Sequence, residues 1–396
     1  MKIAIVVPEM AVGGMETYVL RMGKYLLANG HDVTVIASMK PGAWWSRVER
    51  SGLTSICLRR SESVTPISHI RKIAKHIREA AYQCVFINHC RYTQLALSDI
   101  GDSVIAIPIL HNDHPLIFEV GLMNTDCWNL AIGVSERVST RARAVCPDKE
   151  IKTIPTGADM PLSPPSKSAD GFSCLYVGRL YDEQKNIHML PEIVSRSRKR
   201  GLNVSLDVIG DGPDKNSFEK QVEICDASEH IRIMGYCDNE SVYREMSSHH
   251  LLLLPSRFEG LGLVVAEAQI NGCVPVVSNL PGATDTFVEH GRTGYLCDPG
   301  NVDDFVDAIE TLYNDRALYD HMSKDCAETA KARFSVEAMG SSYQTLLTMV
   351  QNGECPQVHR KPGGSWQLMC WKDYVPNAFR AWKAALSTGG GYSNCW

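Results

Sequence analysis

Residues 2–38 set the pattern that decides the fold: "KIAIVVP" (2–8), then "GGMETYVLRMGKYLLANG" (13–30), then "HDVTVIAS" (31–38). The first run is short, apolar and β-branched, which predicts a strand, and the third predicts a second strand. The segment between them predicts a glycine loop followed by an amphipathic helix that ends at Gly30. Continuous apolar strands separated by helices are typical of a parallel sheet covered on both faces.

The same alternation of strands and helices continues along the chain. A segment rich in Pro, Ser and Asp, "MPLSPPSKSADG" (160–171), interrupts it and predicts a linker. The remaining predicted strands are "CVFINH", "SVIAIPIL" and "LAIGVS" before the linker, and "FSCLYVGRL", "VSLDVIG", "IRIMGY", "LLLLPS", "VPVVS" and "GYLCDP" after it. We therefore predict an α/β protein of two doubly wound, Rossmann-like parallel-sheet domains that face each other across a cleft. Ligands bind at the carboxyl ends of such strands.

Bulk composition bounds the function. The 396 residues are 44% hydrophobic and 21% charged, and the formal net charge is −5, so nothing favours nucleic acid as a partner. The 14 cysteines form no C-x-x-C pair, which gives no support to a zinc or thioredoxin-like site. The N-terminal apolar run is short and soon interrupted, which predicts a first strand and not a signal peptide, and no apolar stretch reaches about 18 residues, so we expect a cytoplasmic protein.

Two glutamates flank an apolar run in "PSRFEGLGLVVAEA" (255–268). Glu259, Gly260, Leu261 and Gly262 form a tight turn between a predicted strand and a predicted helix, where backbone N–H groups can hold an anion. Glu259 there suits sugar hydroxyls beside a phosphate, and Glu267, about two turns along the helix, suits a ribose diol. The alternatives are compensation of the helix dipole for Glu259 and an ion pair for Glu267.

Two cations follow an earlier strand of the second half. Arg179 and Lys185 in "LYVGRLYDEQKN" lie where the carboxyl end of that strand leads into a helix. Arg can bind a diphosphate through a bidentate fork and Lys as a point charge. Taken alone, they are also compatible with two solvated loop cations.

The first half offers weaker signals. Gly13 and Gly14 lie between strand and helix without the G-x-G-x-x-G pattern, so a dinucleotide site is not predicted. His111 ends a strand in "ILHNDHP". It could form a hydrogen bond in the cleft, bind a metal together with His114, or have a structural role. Asp211 in "VIGDGPDK" is either part of a strand-to-helix turn or a metal ligand. The basic amphipathic helix "ISHIRKIAKHIREA" (67–80) leaves peripheral membrane contact open.

These motifs, in this order, resemble the retaining glycosyltransferases of family 4, the "glycosyl transferases group 1" type with the GT-B fold. The resemblance spans roughly residues 1–350. It rests on "FEGLGLVVAE" followed by "GCVPVVSNLPGATDTFVEHGRTGYLCDPGNVDDFVDAI", and on "IPTGAD", "YVGRL", "KN" and "VIGDGP" before it. The family often has Asn where Thr156 stands, which leaves Asp159 without an assigned role.

The resemblance implies domain boundaries and residue roles. The N-terminal acceptor-side domain is expected at 1–160, the linker at 161–171 and the nucleotide-sugar domain at 172–334. A helix at 335–352 is expected to cross back, and a Trp-rich tail at 353–396 has no counterpart. The implied roles are Glu259 at the donor sugar, Glu267 at the ribose, Arg179 and Lys185 at the diphosphate, Gly14 at the diphosphate from the first domain, His111 near the reacting sugar, and Tyr236 near the base.

The expected activity is therefore metal-independent transfer, with retention, of a sugar from a nucleotide-diphosphate sugar (UDP or GDP) to an acceptor hydroxyl. The acceptor is expected to be a glycan, a lipid-linked molecule or a small molecule, in polysaccharide or lipid-linked glycan assembly. No cofactor is implied, and no metal is expected because Arg179, Lys185 and the helix N-terminus would stabilise the leaving diphosphate. The expected catalytic residues are His111, Glu259, Arg179 and Lys185. Another GT-B enzyme, such as a nucleotide-sugar epimerase, and a catalytically silent partner that binds nucleotide-sugar are the alternatives.

Overall fold

A computed structural model of the chain describes residues 1–61, 63–160, 166–167 and 171–364. Most of the predicted linker, and residues 365–396 of the predicted tail, lie outside these described residues. The chain divides into two compact units. Unit 1 comprises residues 1–134, 139–153 and the chain from Ser342 onward, and unit 2 comprises residues 135–138 and 154–341.

Unit 1 is built on a seven-stranded sheet in which every pairing is parallel. The strands are β1 (Lys2–Val7), β2 (Asp32–Ala37), β3 (Thr54–Cys57), β4 (Cys84–Asn88), β5 (Ile105–Leu110), β6 (Ala131–Gly133) and β7 (Ile151–Thr153). Their order is β3-β2-β1-β4-β5-β6-β7, so the direction of winding reverses between β1 and β4. The central strands are buried over almost their whole length, as a sheet covered on both faces requires.

Unit 2 is built on a six-stranded sheet that is also parallel throughout. The strands are β8 (Phe172–Val177), β9 (Val204–Ile209), β10 (Ile231–Gly235), β11 (Leu251–Leu254), β12 (Val274–Ser278) and β13 (Tyr295–Cys297). The order β10-β9-β8-β11-β12-β13 places the reversal between β8 and β11. Two doubly wound parallel-sheet units are therefore present, and the predicted fold class is confirmed on that point.

Helices connect most consecutive strands in both units, and a 3₁₀ turn lies between β12 and β13. In chain order they are α1 (Gly14–Ala28), α2 (Trp45–Glu49), α3 (Pro66–Glu79), α4 (Arg91–Ala96), α5 (Pro115–Gly121), α6 (Glu136–Val145), α7 (Asp182–Lys185), α8 (Met189–Lys199), α9 (Lys215–Ile224), α10 (Asn239–Ser248), α11 (Leu263–Ile270), α12 (Val302–Asn314), α13 (Arg316–Phe334) and α14 (Val336–Gln351). Short 3₁₀ turns occur at Leu97–Asp99, Thr125–Cys127 and Thr284–Thr286.

The basic amphipathic helix of the sequence is α3, and its apolar side is part of the core of unit 1. Ile70, Ile73 and Ile77 are buried, whereas Arg71 and Lys75 on the other side are exposed. The apolar stripe is therefore already covered by protein and is not a surface that can insert into lipid. Within the described residues, no helix is both long enough and apolar enough to span a bilayer.

The end of the described chain packs on unit 1. In α14, the Tyr343 hydroxyl accepts a 2.6 Å hydrogen bond from the Tyr18 hydroxyl, and both rings are fully buried. Arg360 is buried further on, where its guanidinium donates to Gly101 O at 2.6 Å and to Cys127 O at 2.8 Å. The described part of the predicted tail therefore packs against unit 1.

Candidate active site

The sequence-predicted charges of unit 2 gather where its sheet changes direction. Arg179 and Lys185 follow β8, whereas Glu259 follows β11, and these two strands are hydrogen-bonded neighbours. Because winding reverses between them, the loops that leave their carboxyl ends turn to opposite faces of the sheet and leave a crevice between them. This topology brings together residues that are 74 positions apart in the sequence.

The closest contact in this crevice is an ion pair. Lys185 Nζ lies 2.6 Å from Glu259 Oε1, and the buried Ser256 hydroxyl donates to the same oxygen at 2.7 Å. The Lys185 side chain is 14% exposed and that of Glu259 only 6%, so the pair is largely desolvated and held by charge-assisted hydrogen bonds. Both of these bonds go to Oε1, so ligand hydroxyls could still use Oε2. Lys185 is therefore the group that makes a carboxylate tolerable in this apolar turn.

A second set of contacts holds the loop after β8 against the loop after β11. Arg257 N–H donates to Gln184 O at 2.8 Å, and the Arg257 guanidinium contacts both the backbone and the carboxylate of Asp182. Asp182 Oδ1 in turn accepts from His188 N–H at 2.9 Å. The short helix α7, which ends with Lys185, is thus fixed at both ends by backbone-directed bonds.

The turn between Glu259 and α11 depends on one glycine. Gly262 precedes α11 with φ of 79°, a left-handed conformation that glycine adopts without strain. Leu261 beside it is buried, while Gly260 is half-buried. The turn therefore presents the first backbone N–H groups of an eight-residue helix beside Glu259, as the sequence predicts for an anion site.

A cavity of about 300 Å³ opens at the carboxyl ends of β8, β9 and β10. Arg179, Tyr236 and Glu267 line it, together with Asp211 and Tyr243. Arg179 is exposed and its guanidinium lies 5.6 Å from the centre of the Tyr181 ring. Tyr236 is 64% exposed at the cavity wall, and Glu267 is half-buried. The cavity therefore joins a cation, a carboxylate and an exposed aromatic ring.

Glycines let the loops that line this cavity approach each other. A Cβ on Gly210 would lie 1.8 Å from Gly178 O, and Gly210 has φ of 148°. A Cβ on Gly178 would lie 2.9 Å from the Tyr176 hydroxyl. These contacts leave no room for side chains, so both glycines are required by packing of the loops after β8 and β9.

Tyr176 connects the cavity to the ion pair. Its hydroxyl donates to Arg179 O at 2.9 Å from a fully buried ring. Burial, reinforced by the nearby carboxylates of Glu259 and Asp182, raises the pKa of Tyr176 well above its ordinary value. Tyr176 therefore stays a neutral donor, and it fixes the backbone of Arg179 close to the Glu259 carboxylate.

Glu267 has a partner that the sequence did not reveal. The Tyr243 hydroxyl lies 3.2 Å from Glu267 Oε1 and 3.1 Å from Asp159 Oδ2, and its ring is buried in α10. The "IPTGAD" motif thus places its acidic residue at the same hydroxyl as Glu267. No sequence spacing indicates this contact, because Asp159, Tyr243 and Glu267 come from three separate elements.

The sequence-predicted residues of unit 1 form a different environment. His111 Nε2 lies 2.8 Å from Asn88 Oδ1, and the His111 ring meets the Tyr18 ring edge-on at 4.9 Å between centroids. Since the Asn88 amide nitrogen donates to Val6 O, its oxygen faces His111, which makes Nε2 the protonated nitrogen. Burial lowers the pKa of His111 to about 3, and nearby His89 adds to this effect. His111 is therefore neutral at physiological pH.

The glycine loop of unit 1 surrounds a buried acid. A Cβ on Gly13 would lie 2.9 Å from Glu16 Oε2, whereas a Cβ on Gly14 would meet no described atom within 4 Å. Burial raises the pKa of Glu16, although backbone N–H groups of Glu16 and Ala11 partly offset that effect. Packing within the unit thus explains glycine at position 13 and not at 14, so the ligand role of Gly14 stays a prediction.

Other candidate ligands of the sequence have local structural partners. His114 Nδ1 accepts from Leu116 N–H at 3.3 Å as the cap of α5, and Asp211 accepts from Gly212 N–H at 2.8 Å. Among the described residues, Asp207, Glu245 and His249 bring three possible metal ligands together. Asp207, however, already accepts from Arg232 and from His249 Nε2.

Two family models match this chain over most of its length. The model for glycosyltransferase family 4 matches residues 12–160, and the model for glycosyl transferases group 1 matches residues 164–333. The second match contains all the predicted site residues of unit 2, from Arg179 to Glu267.

Curated relatives match over shorter stretches. The chain is 30% identical over 166 residues to alpha-D-kanosaminyltransferase of Streptomyces kanamyceticus, covering 42% of each chain. It is 30% identical over 184 residues to the capsular polysaccharide biosynthesis glycosyltransferase CapM of Staphylococcus aureus, covering 45% of this chain and 47% of that protein. The aligned stretches thus span about half the length of these relatives or less.

Solved structures match almost end to end. Anabaena HepE in complex with UDP and glucose has a TM-score of 0.71 at 18% identity, covering 88% of this chain and 99% of that one. A glycosyltransferase from Rickettsia africae has a TM-score of 0.73 at 14% identity, covering 88% and 98%. These similarities concern the fold. They show the GT-B fold, and the two family models identify residues 12–160 as a glycosyltransferase family 4 domain and residues 164–333 as a glycosyl transferases group 1 domain.

Proposed function

We propose that the chain is a retaining glycosyltransferase that moves a sugar from a nucleotide-diphosphate sugar to an acceptor hydroxyl without a metal ion. The observation that carries this proposal is the desolvated Lys185–Glu259 pair at the start of α11, next to the cavity that Arg179 and Glu267 line. The carboxylates of Glu259 and Glu267 suit the hydroxyls of a sugar and of a ribose at the two ends of a molecule. The two cations suit a diphosphate between those ends.

The proposed chemistry is electrostatic. As the bond between the sugar and the diphosphate breaks, negative charge grows on the leaving phosphate. In this proposal Lys185, Arg179 and the N–H groups that open α11 stabilise that charge, as preorganised donors in a largely desolvated site do. Lys185 would then exchange its ion pair with Glu259 for a shared contact with phosphate, while Glu259 accepts from a sugar hydroxyl.

The donor is proposed to be a UDP- or GDP-sugar, and the acceptor a glycan or lipid-linked glycan. HepE, a structural neighbour, was solved with UDP, with UDP and glucose, and with UDP-glucose, and CapM is named for capsular polysaccharide biosynthesis. Retention at the anomeric carbon is proposed from the family resemblance. Burial lowers the pKa of His111 to about 3, which makes it a weak base, so it is assigned hydrogen bonding and not proton transfer.

The test is a transfer assay with UDP-glucose, UDP-N-acetylglucosamine and GDP-mannose, each with a panel of glycan acceptors, in EDTA. We expect transfer with one donor, an α-linked product by NMR, and loss of transfer in Lys185→Ala and Glu259→Ala. Lys220→Ala, an exposed lysine on α9, is the matched control. Full activity of both site variants would overturn the donor site, restoration only by Mg²⁺ would overturn metal independence, and inverted product would overturn retention.

A further inference from the structure

The hydroxyl of Tyr243 is shared by two carboxylates. It lies 3.1 Å from Asp159 Oδ2 and 3.2 Å from Glu267 Oε1, both within hydrogen-bond reach. A phenol carries a single hydrogen, so it can fully donate to only one of the two oxygens at a time. Rotation about the phenol C–O bond, with no movement of the ring, is enough to change which carboxylate accepts the hydrogen bond.

The helix pair that carries this contact is held firmly. Ser247 Oγ, on α10, donates to Asn271 Oδ1 at 2.9 Å, and the Asn271 amide donates to Glu267 O at 2.8 Å. The half-buried Lys167 ammonium donates to Met246 O at 2.8 Å and also contacts the His249 carbonyl just after α10. The backbones that carry Tyr243 and Glu267 are therefore fixed relative to each other, so the phenol can set the direction of the carboxylate.

Both side chains face the same cavity. Tyr243 and Glu267 line it together with Val242 and Asn239 of α10. Asp159, from the segment that follows β7, contacts the Tyr243 hydroxyl. A ribose diol in this cavity would donate to Glu267 while the Tyr243 hydroxyl also donates to that carboxylate and holds its direction.

We propose that Tyr243 is the positioning residue for ribose recognition, holding Glu267 toward the 2′- and 3′-hydroxyls, with Asp159 as its alternative acceptor. This inference rests on the proposed function, because it presumes a nucleotide in the cavity. It assigns a role to Asp159 that the sequence left open, and it assigns to Tyr243 a role in selecting ribo- over deoxyribonucleotides.

The test compares the Kd of UDP with that of 2′-deoxy-UDP, and of GDP with that of 2′-deoxy-GDP, by calorimetry. For the wild type we expect the preferred ribonucleotide to bind about tenfold more tightly than its deoxy form, since the missing hydroxyl leaves a polar group without its bond. Tyr243→Phe is expected to reduce this preference to about threefold or less. In Tyr243→Phe/Glu267→Gln the preference should equal that of Glu267→Gln alone, because residues that act together are not additive.

Controls separate positioning from packing. Ser247→Ala removes a bond between α10 and α11 without touching the Glu267 carboxylate, so it should lower thermal stability and leave the ribo-to-deoxy ratio unchanged. Asp159→Asn keeps an acceptor for the phenol and should also retain the ratio. An unchanged ratio in Tyr243→Phe, with wild-type nucleotide binding intact, would overturn this inference alone. Failure of the wild type to bind any of the nucleotides would overturn the proposed function and this inference with it.

Discussion

The predicted site residues of the two units differ in the kind of polar group they present. In unit 2, Lys185 and Glu259 form a charged pair in a largely desolvated turn. In unit 1, His111 is neutral, bonded to Asn88 and packed against Tyr18. The candidate site therefore has a buried ion pair in unit 2 and a neutral imidazole in unit 1. In our proposal, charge stabilisation of the leaving diphosphate belongs to unit 2.

The largest effect on transfer is expected from Lys185→Ala, which tests whether the ion pair of unit 2 carries the proposed charge stabilisation. It removes a cation proposed to bind the diphosphate and leaves Glu259 buried without its charged partner. We expect the transfer rate to fall by about 10²–10³, the range found when one preorganised electrostatic contact is lost. Steady-state kinetics measure this, with Lys220→Ala as control, and a loss of less than threefold would contradict the assignment.

The next test concerns the loops that shape the cavity of unit 2. Gly210→Ala would force a Cβ to within 1.8 Å of Gly178 O, so backbone must move, and we expect a loss of about 3 kcal/mol in the free energy of unfolding. Gly201→Ala is the matched control, because Gly201 also has positive φ but a Cβ there meets no described atom within 4 Å. Urea denaturation of both variants gives the comparison. Equal losses would show that the close approach of the two loops carries no extra strain.

A finer test concerns the hydroxyl beside the ion pair. Ser256→Ala removes the donor to Glu259 Oε1 and leaves Lys185 in place. Hydrogen bonds to charged groups contribute about 1.5–3 kcal/mol, so we expect donor affinity to fall roughly tenfold, with a smaller change in maximal rate. Calorimetric titration with the donor measures the affinity, and a loss as large as that of Lys185→Ala would show that the ion pair is not the dominant contact.

The smallest effect on catalysis is expected at His111. With a pKa of about 3 when folded and an ordinary value near 6.5 when unfolded, His111 takes up a proton on unfolding between these pH values. Its burial therefore destabilises the fold increasingly as pH falls from 6.5 toward 3. His111→Gln should weaken that acid sensitivity by about 1–2 kcal/mol between pH 7 and pH 5, measured by urea denaturation at both values.

The transfer rate provides the matching readout for His111. Because the imidazole is already neutral above pH 6, His111→Gln should leave the midpoint of the pH–rate profile unmoved, even if the rate itself decreases. A shifted midpoint would show that His111 titrates during catalysis and would contradict its assignment as a neutral imidazole.

The sequence predicts the strands of unit 2 better than those of unit 1. All six strands of unit 2 coincide with predicted apolar runs, whereas β3 (Thr54–Cys57) and β7 (Ile151–Thr153) were not predicted. Both are short strands at the sheet edges, and only one of their residues, Ile151, is buried. A partly exposed run of three or four residues carries little apolar periodicity, so pattern alone does not distinguish it from a loop.

The sequence predicts which residues form the candidate site, but it does not predict which of them contact each other. Arg179, Lys185, Glu259 and Glu267 stand out because charges at strand ends and helix starts are informative. Their partners do not, because Ser256, Tyr243 and Asp159 acquire roles only through packing of distant elements. The direct pairing of Lys185 with Glu259 was likewise not predicted, since the sequence assigned them to different parts of one ligand.

The most direct test of the account is thermal unfolding of the wild type and Lys185→Ala in EDTA, with and without UDP- and GDP-sugars. We predict that one nucleotide-sugar stabilises the wild type by about 2.7 kcal/mol at 100 times its Kd, and that the variant loses this stabilisation at the same concentration. Equal stabilisation of both proteins would contradict the claim that the Lys185–Glu259 pair binds a nucleotide-sugar. A wild type that no donor stabilises would contradict it as well.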